Sequence, residues 1–207
     1  MAAFYEQRVL PLLVDRAMRQ PPLEPFRREV VPPARGRVLE VGVGSGLNLP
    51  LYGRAVEALL ALDPSSRLLS MARRRVTPGG APPRLLQASA TNIPLADGSV
   101  DTVILTWTLC SIPDPVAALR EMRRVLTPAG VLRFVEHGLS PVPRVRSWQR
   151  RLTPIWRRFA GGCHLDRKVD DLLHEAGFEI SELRTAYARG PRPLTYMYVG
   201  CARPAAL

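Results

Sequence analysis

The stretch VLEVGVGSGLN at residues 38–48 constrains this chain more than any other. A short apolar run, compatible with a buried strand, enters a turn that carries Gly42, Gly44 and Gly46 at alternate positions. Glycine tolerates positive φ and lets the backbone approach a neighbour closely, so three of them in one turn point to bare backbone presented to a ligand. A strand that ends in a glycine turn and leads to a helix brings peptide N–H groups to the carboxyl edge of a parallel sheet, where open α/β folds bind ligands. Pro50 allows that helix only if it is short or begins late.

The remaining residues agree with such a sheet. Strand-like runs at 37–41, 56–62, 84–88, 100–105 and 131–136 are each followed by turn residues or by helical periodicity. That alternation is the signature of an α/β fold with a doubly wound, mostly parallel sheet. Helices are expected at 65–75 and 115–126, the second with Asp114 as N-cap and Pro115 at its first position. Two later runs, 178–185 and 194–202, have no helix between them and therefore pair antiparallel, so the sheet is expected to close with a hairpin. A length of 207 residues, 46% of them hydrophobic, suits one domain spanning 1–207. Its amino-terminal stretch carries Glu6, Arg8, Asp15 and Arg16 where a signal peptide would be apolar, and no run approaches the ~18 apolar residues of a membrane span. A cytoplasmic protein is expected.

Charge and cysteine usage bound the partners. Twenty-nine basic residues against 18 acidic ones give +11, and every cation except Lys168 is arginine, the side chain best suited to phosphates and carboxylates. Acidic ligands, nucleic acid and an anionic membrane face all come into view, but the arginines are scattered along the chain. Cys110, Cys163 and Cys201 are odd in number and far apart, which argues for reduced thiols. Cys163, His164 and Asp166 lie close in sequence, yet no second pair with ligand spacing exists, so no metal is expected.

The glycine pattern excludes several ligand motifs. Leu47 stands where a nicotinamide fingerprint needs its third glycine, no Lys-Ser or Lys-Thr follows for a phosphate loop, and Val43 with Leu47 break a nucleophile elbow. Asp63, at the end of the second strand, lies 21 residues after Gly42, the distance at which doubly wound nucleotide folds place a carboxylate on ribose hydroxyls. Taken together, Glu-x-Gly-x-Gly-x-Gly, the later Asp63 and the R-V-L-x-P-x-G turn at 124–130 resemble the class I S-adenosylmethionine-dependent methyltransferases over most of residues 37–137. The resemblance implies a Rossmann-like sheet and S-adenosylmethionine as cofactor. It places cofactor contacts on Tyr5, Glu40, Gly42, Gly44, Gly46, Asn48, Asp63, Pro64, Ser89, Ala90 and Thr106. One departure stands at the adenine loop, where the family usually has Asp and this chain has Ser89. Adenine recognition is therefore expected to lean on packing and on the backbone of Ala90.

Acceptor identity sits in the less regular segments. The residues TWTLCS after the fourth strand match neither an amino-methylating Pro-Pro-aromatic motif nor a Pro-Cys pair for cytosine. LCS, Glu136-His137 and a later G-C-x-L-x-R together resemble the small-molecule thiol S-methyltransferases, and similar bacterial chains carry phospholipid or quinone methylation. Residues 144–158 hold six arginines interleaved with Trp148, Leu152, Ile155 and Trp156, an amphipathic pattern broken at Pro154. That segment reads either as a lid helix pair over the acceptor, within an insertion at 138–165, or as an apolar cover with solvated arginines, and it suits contact with an anionic membrane. Cys110, Trp148 and Trp156 are the expected acceptor contacts, and His137, a base for a thiol or else a structural histidine, the expected catalytic group. Residues 1–35 read as a helical flap in which Tyr5 folds over the cofactor, or as a helix packed on the sheet edge. The function expected is methyl transfer to a small apolar acceptor, thiol first and lipid or quinone second. Specific nucleic-acid binding is not expected, although a basic RNA-binding module or RNA methyltransferase is the alternative class, and a fold that binds cofactor without turnover is the third.

Overall fold

The computed structural model of the protein describes residues 4–76 and 82–205, so the first three residues of the expected flap lie outside the described residues. A π-helical turn, Tyr5–Val9, runs into helix α1 (Leu10–Met18), followed by α2 (Glu24–Val30). Then come β1 (Gly36–Val41), β2 (Val56–Leu62), α3 (Ser66–Arg73), β3 (Arg84–Leu86), β4 (Val100–Thr106), α4 (Pro115–Val125) and β5 (Leu126–His137). The chain continues through α5 (Pro143–Phe159), α6 (Val169–Glu175), β6 (Phe178–Tyr187) and β7 (Tyr196–Pro204).

Seven strands form one sheet in the order β3-β2-β1-β4-β5-β7-β6. The first five run parallel, while β7 lies antiparallel to both β5 and β6, so the expected closing hairpin is present. Strand order reverses between β1 and β4, which opens a crevice at their carboxyl ends. Side-chain alternation along each strand fills two layers. Leu39 and Val41 of β1 with Val103 and Leu105 of β4 pack against Leu119 and Met122 of α4. The intervening Val38 and Ile104 face the other way, onto Leu69 and Ala72 of α3. Both helices start on the caps their sequences offer: Ser65 Oγ accepts from Leu68 N at 3.3 Å and Asp114 Oδ1 from Ala117 N at 2.9 Å.

Three expectations need correction. No helix follows the glycine turn; Pro50 admits only a single 3₁₀ turn, Leu49–Leu51, so the glycines present loop N–H groups instead of a helix N-terminus. Pro154 does not split the segment after β5, which is one helix from Pro143 to Phe159. Proline removes a single N–H, and here it sits on the exposed side of the helix, while Thr153 Oγ1 donates to Gln149 O at 2.8 Å in the same turn. That helix is also turned over relative to the expectation. It buries Val145, Gln149 and Thr153 and leaves Trp148, Ile155 and Phe159 exposed at 49%, 61% and 65%. Gln149 explains this orientation: its amide donates to Gly138 O and Pro193 O, and its Oε1 accepts from Ser140 N, anchoring the polar face inward.

Candidate active site

A cavity of about 360 Å³ opens at the carboxyl ends of β1, β2 and β4. Each of the three glycines meets a different neighbour there. Gly42 has φ +74 and a Cβ on it would stand 2.2 Å from Thr108 Oγ1; Gly46 has φ +83 and would press a Cβ 2.9 Å from Ala72 Cα. Both are bare because the loop packs against the turn after β4 and against α3. Gly44, at φ +55, would meet nothing nearer than Gly42 O at 4.0 Å, so its open side is the one that faces the cavity. Asp63 closes the loop from β2: its Oδ2 accepts from Gly44 N at 2.9 Å and its Oδ1 from Ser65 N at 2.8 Å. Burial pushes the Asp63 carboxyl above its ordinary value, against the pull of those two donors. With one donor on each oxygen, a lone pair on each remains for a ligand diol.

Beneath the loop lies a buried polar network. Glu40 accepts from Asn48 Nδ2 at 2.8 Å and from Tyr52 Oη at 2.8 Å, and burial pushes its carboxyl up to about 7. Asn48 also donates to Thr106 Oγ1 at 3.0 Å and accepts from Arg27 at 3.2 Å. Asn48 and Thr106 reach the cavity; Glu40 does not, and acts by orienting Asn48. Arg27 sits 4.6 Å from the centre of the Trp107 ring, and Trp107 holds φ +49, a conformation rare outside glycine. Sequence reasoning missed Arg27, Tyr52 and Trp107, because each acts through partners far along the chain.

The amino-terminal segment roofs the cavity with Leu10, Pro11, Val14 and Met18. Asp15 pins it in place: Oδ1 accepts from Ser45 Oγ in the glycine loop and from Arg75 at 2.8 Å, and Arg19 pairs with Oδ2 at 2.8 Å. Burial raises the Asp15 carboxyl, but the Ser45, Arg19 and Arg75 contacts outweigh it and hold it below its ordinary value. Tyr5 does not line the cavity; its hydroxyl donates to Phe159 O at 2.7 Å, tying the roof to the end of α5. At the adenine side Pro64, Ser89 and Ala90 line the wall, with Ser89 Oγ 2.7 Å from Thr91 Oγ1.

The expected acceptor residues are not among the cavity-lining ones. Trp148 stands on the outer face of α5 and Trp156 is 37% exposed, its indole N–H donating to Cys163 Sγ at 3.3 Å. Cys110 and His137 are buried, and Cys110 Sγ stands 3.6 Å from Trp107 O and 3.5 Å from Ser111 Oγ, both residues of the cavity lining. The fold brings them together with Cys163, whose Sγ lies 3.2 Å from His137 Nε2. Burial works against protonation of His137, and the neighbouring Cys110 with Glu136 reverses that, raising it overall. Glu136 organises the loop that carries Cys110: its Oε1 accepts from Thr108 N at 2.7 Å and Leu109 N at 3.1 Å, while burial lifts its carboxyl to about 8. His164, by contrast, points away to Asp166 at 3.7 Å.

A strand–glycine-loop–strand crevice with a buried carboxylate after β2 defines a nucleoside-binding α/β enzyme, and the comparisons give its class. A family model described as a methyltransferase domain matches residues 39–134. The chain is 36% identical over 177 residues to human thiol S-methyltransferase TMT1B, covering 81% of this chain and 69% of that protein. It is 39% identical over 149 residues to the phosphatidylethanolamine N-methyltransferase of Cereibacter sphaeroides, covering 71% and 72%. A SAM-dependent methyltransferase structure from Methanosarcina mazei superposes with a TM-score of 0.67 at 19% identity, covering 91% of this chain and 99% of that one. The chain belongs to the class I S-adenosylmethionine-dependent methyltransferases, and S-adenosylmethionine is its cofactor. The residues present fit that cofactor: a bare Gly44 face, a carboxylate with free lone pairs for the ribose diol, and a cavity of suitable size.

Proposed function

We propose that this enzyme methylates a small, apolar thiol. The observation that carries the reading is the similarity to a thiol S-methyltransferase along 81% of the chain. The chemistry of the cavity supports it. Asp63 is the one carboxylate among the described lining residues and is committed to Gly44, Ser65 and the cofactor diol, so an amine acceptor finds no second carboxylate there. Leu10, Val14, Ile112 and Pro113 give the cavity apolar surface that suits a hydrophobic acceptor and excludes water.

The cofactor, when bound, supplies a methyl group already activated on a sulfonium. The chain's own work is positional: Gly44 and Asp63 hold the nucleoside, the Glu40–Asn48–Thr106 network fixes the floor, and α1 closes the roof. The Asp15–Ser45 and Asp15–Arg75 contacts keep roof and loop in register. The test is transfer of labelled methyl from the cofactor to a panel of alkyl thiols, phosphatidylethanolamine, demethylated quinones and RNA. Transfer to thiols alone is expected; equal transfer to any of the others overturns the assignment.

A second reading, action at a lipid surface, is favoured by one observation. The outer face of α5 exposes Trp148, Ile155 and Phe159 beside Arg144, Arg150, Arg151, Arg157 and Arg158. Among the described residues no helix is long and apolar enough to cross a membrane, so such contact would be peripheral. Co-flotation with vesicles containing phosphatidylserine, and none with neutral vesicles, is the expected result of this reading.

A further inference from the structure

From the Cys110–His137–Cys163 cluster we infer a metal site: a thiophilic divalent ion, zinc by the chemistry of its donors, held by Cys110 Sγ, His137 Nε2 and Cys163 Sγ. The three donors come from three separate segments: the loop after β4, the end of β5 and the loop after α5. Nothing in their spacing along the chain announces them, which is why the sequence gives no metal signal. In the fold each offers one ligand atom, and these atoms all lie within 4.8 Å of one another, with Cys163 Sγ and His137 Nε2 at 3.2 Å. Ions of this kind hold sulfur at about 2.3 Å and imidazole nitrogen at about 2.0–2.1 Å, so donors around a tetrahedral ion stand roughly 3.5–3.8 Å apart. The separations in the cluster, 3.2 Å for one pair and at most 4.8 Å for all, bracket that arrangement.

The surroundings fit the same assignment. Two thiols and an imidazole are the donor set for zinc, and oxygen-seeking ions such as magnesium or calcium are poorly served by it. Glu136 Oε2, next in the chain to His137, is buried with no hydrogen-bond partner. A second layer already fixes the donors: Trp156 Nε1 donates to Cys163 Sγ at 3.3 Å, and Glu136 Oε1 pins the peptide groups that precede Cys110.

Three protein donors leave one tetrahedral position, as in catalytic zinc sites. Cys110 Sγ stands 3.6 Å from Trp107 O and 3.5 Å from Ser111 Oγ, and both residues line the cavity, so the cluster borders it and its open position is the one an acceptor sulfur would take. A thiol entering it displaces one water from the ion, releases its proton to solvent and forms a sulfur–metal bond. It is then held as a thiolate at a pH where a free thiol, with a pKa of about 8.5, stays protonated. The metal site stands on the cluster itself; its role in presenting the acceptor rests on the thiol reading above.

The test uses the whole chain, stripped with a chelator under reducing conditions and titrated with cobalt(II). One equivalent of cobalt with a sulfur-to-metal charge-transfer band, displaced by zinc, is expected. Cys163→Ser and His137→Ala should lose or strongly weaken that band, whereas Cys201→Ser, on β7, should keep it. Cofactor affinity by calorimetry, unchanged in Cys163→Ser, guards against misfolding. Absence of a thiolate band in the parent protein, or a band undiminished in Cys163→Ser, overturns the site. Adding a small alkyl thiol to the cobalt form should shift the band; an unshifted band, or equal thiol methylation by metal-free and zinc-loaded protein, overturns the acceptor role. Thiol methylation by neither form, with cobalt still bound through Cys163, sinks the thiol reading alone.

Discussion

The two halves of the site are built in opposite ways. The cofactor half comes from consecutive or nearly consecutive residues, with Gly42, Gly44 and Gly46 in one loop and Asp63 at the next strand end, and it is held by backbone geometry. The acceptor half we propose draws Cys110, His137 and Cys163 from segments far apart in the chain and is held by side chains. A loop of bare backbone tolerates almost no added atom, whereas a side-chain cluster tolerates substitution but loses its chemistry. The difference predicts which kind of change each half can absorb.

The largest effect is expected at Gly42. An Ala there combines a left-handed φ of +74 with a Cβ 2.2 Å from Thr108 Oγ1. Together these should destabilise the fold by about 3 kcal/mol or more. Gly44→Ala, which carries the φ penalty without the clash, should cost only about 1–2 kcal/mol while weakening cofactor binding. Urea midpoints compare the two, and equal losses would mean that Thr108 yields and the contrast between the glycines is lost.

Next comes Asp63→Ala. Removing a carboxylate that accepts from Gly44 N and Ser65 N should lower cofactor affinity by about 1.5–3 kcal/mol, roughly ten- to a hundredfold. Calorimetric titration reads this directly. Undiminished affinity would move the ribose site elsewhere.

A smaller, pH-dependent effect is expected from Glu40. Its carboxyl is raised from 4.5 to about 7 in the folded state, so between these values the native protein holds a proton that the unfolded chain has lost. Stability from this group is therefore full below about pH 4.5 and falls as pH rises through 7. Glu40→Gln removes the titration while keeping an acceptor for Asn48 and a polar partner for Tyr52. The loss in melting temperature between about pH 5 and about pH 8 should narrow in that variant, and an unchanged difference would assign the titration to another group.

The smallest effect is expected at Trp148. It stands 49% exposed on the outer face of α5, away from the cavity, so Trp148→Ala should shift stability by no more than about 0.5 kcal/mol and leave the KM for a soluble acceptor unchanged. The same variant should reduce flotation with anionic vesicles. A raised KM without loss of flotation would return this helix to the role of an acceptor lid.

Much of the cofactor half was legible in the chain because its signals are local. A glycine betrays its φ and a proline its missing N–H by residue type alone, and Asp63 is found by its distance of 21 residues from Gly42. The sheet was legible for a similar reason: alternating apolar runs set the strands, and the absent helix between 178–185 and 194–202 set the hairpin. The acceptor half was not. An amphipathic count over 144–159 assigns the aromatic face inward, since apolar burial usually wins, but three hydrogen bonds of Gln149 hold the opposite face inward. Asp15, Arg27 and Tyr52 likewise announce nothing locally, and their value comes from Ser45, Asn48 and Glu40, which only the fold supplies.

The placement of β7 carries one more consequence. It lies between β5 and β6, yet a ribosome makes it after both. Until residues 196–204 emerge, β5 is an open edge with the peptide groups on its β7 side unpaired, and β6 has no neighbour in the sheet at all. The five parallel strands can assemble on the growing chain, while His137, at the last register pair of β5 with Met197, waits for the final strand. During synthesis the parallel strands that carry the glycine loop and Asp63 thus precede β7, and the interval between them is when an exposed strand edge invites pairing with another nascent copy.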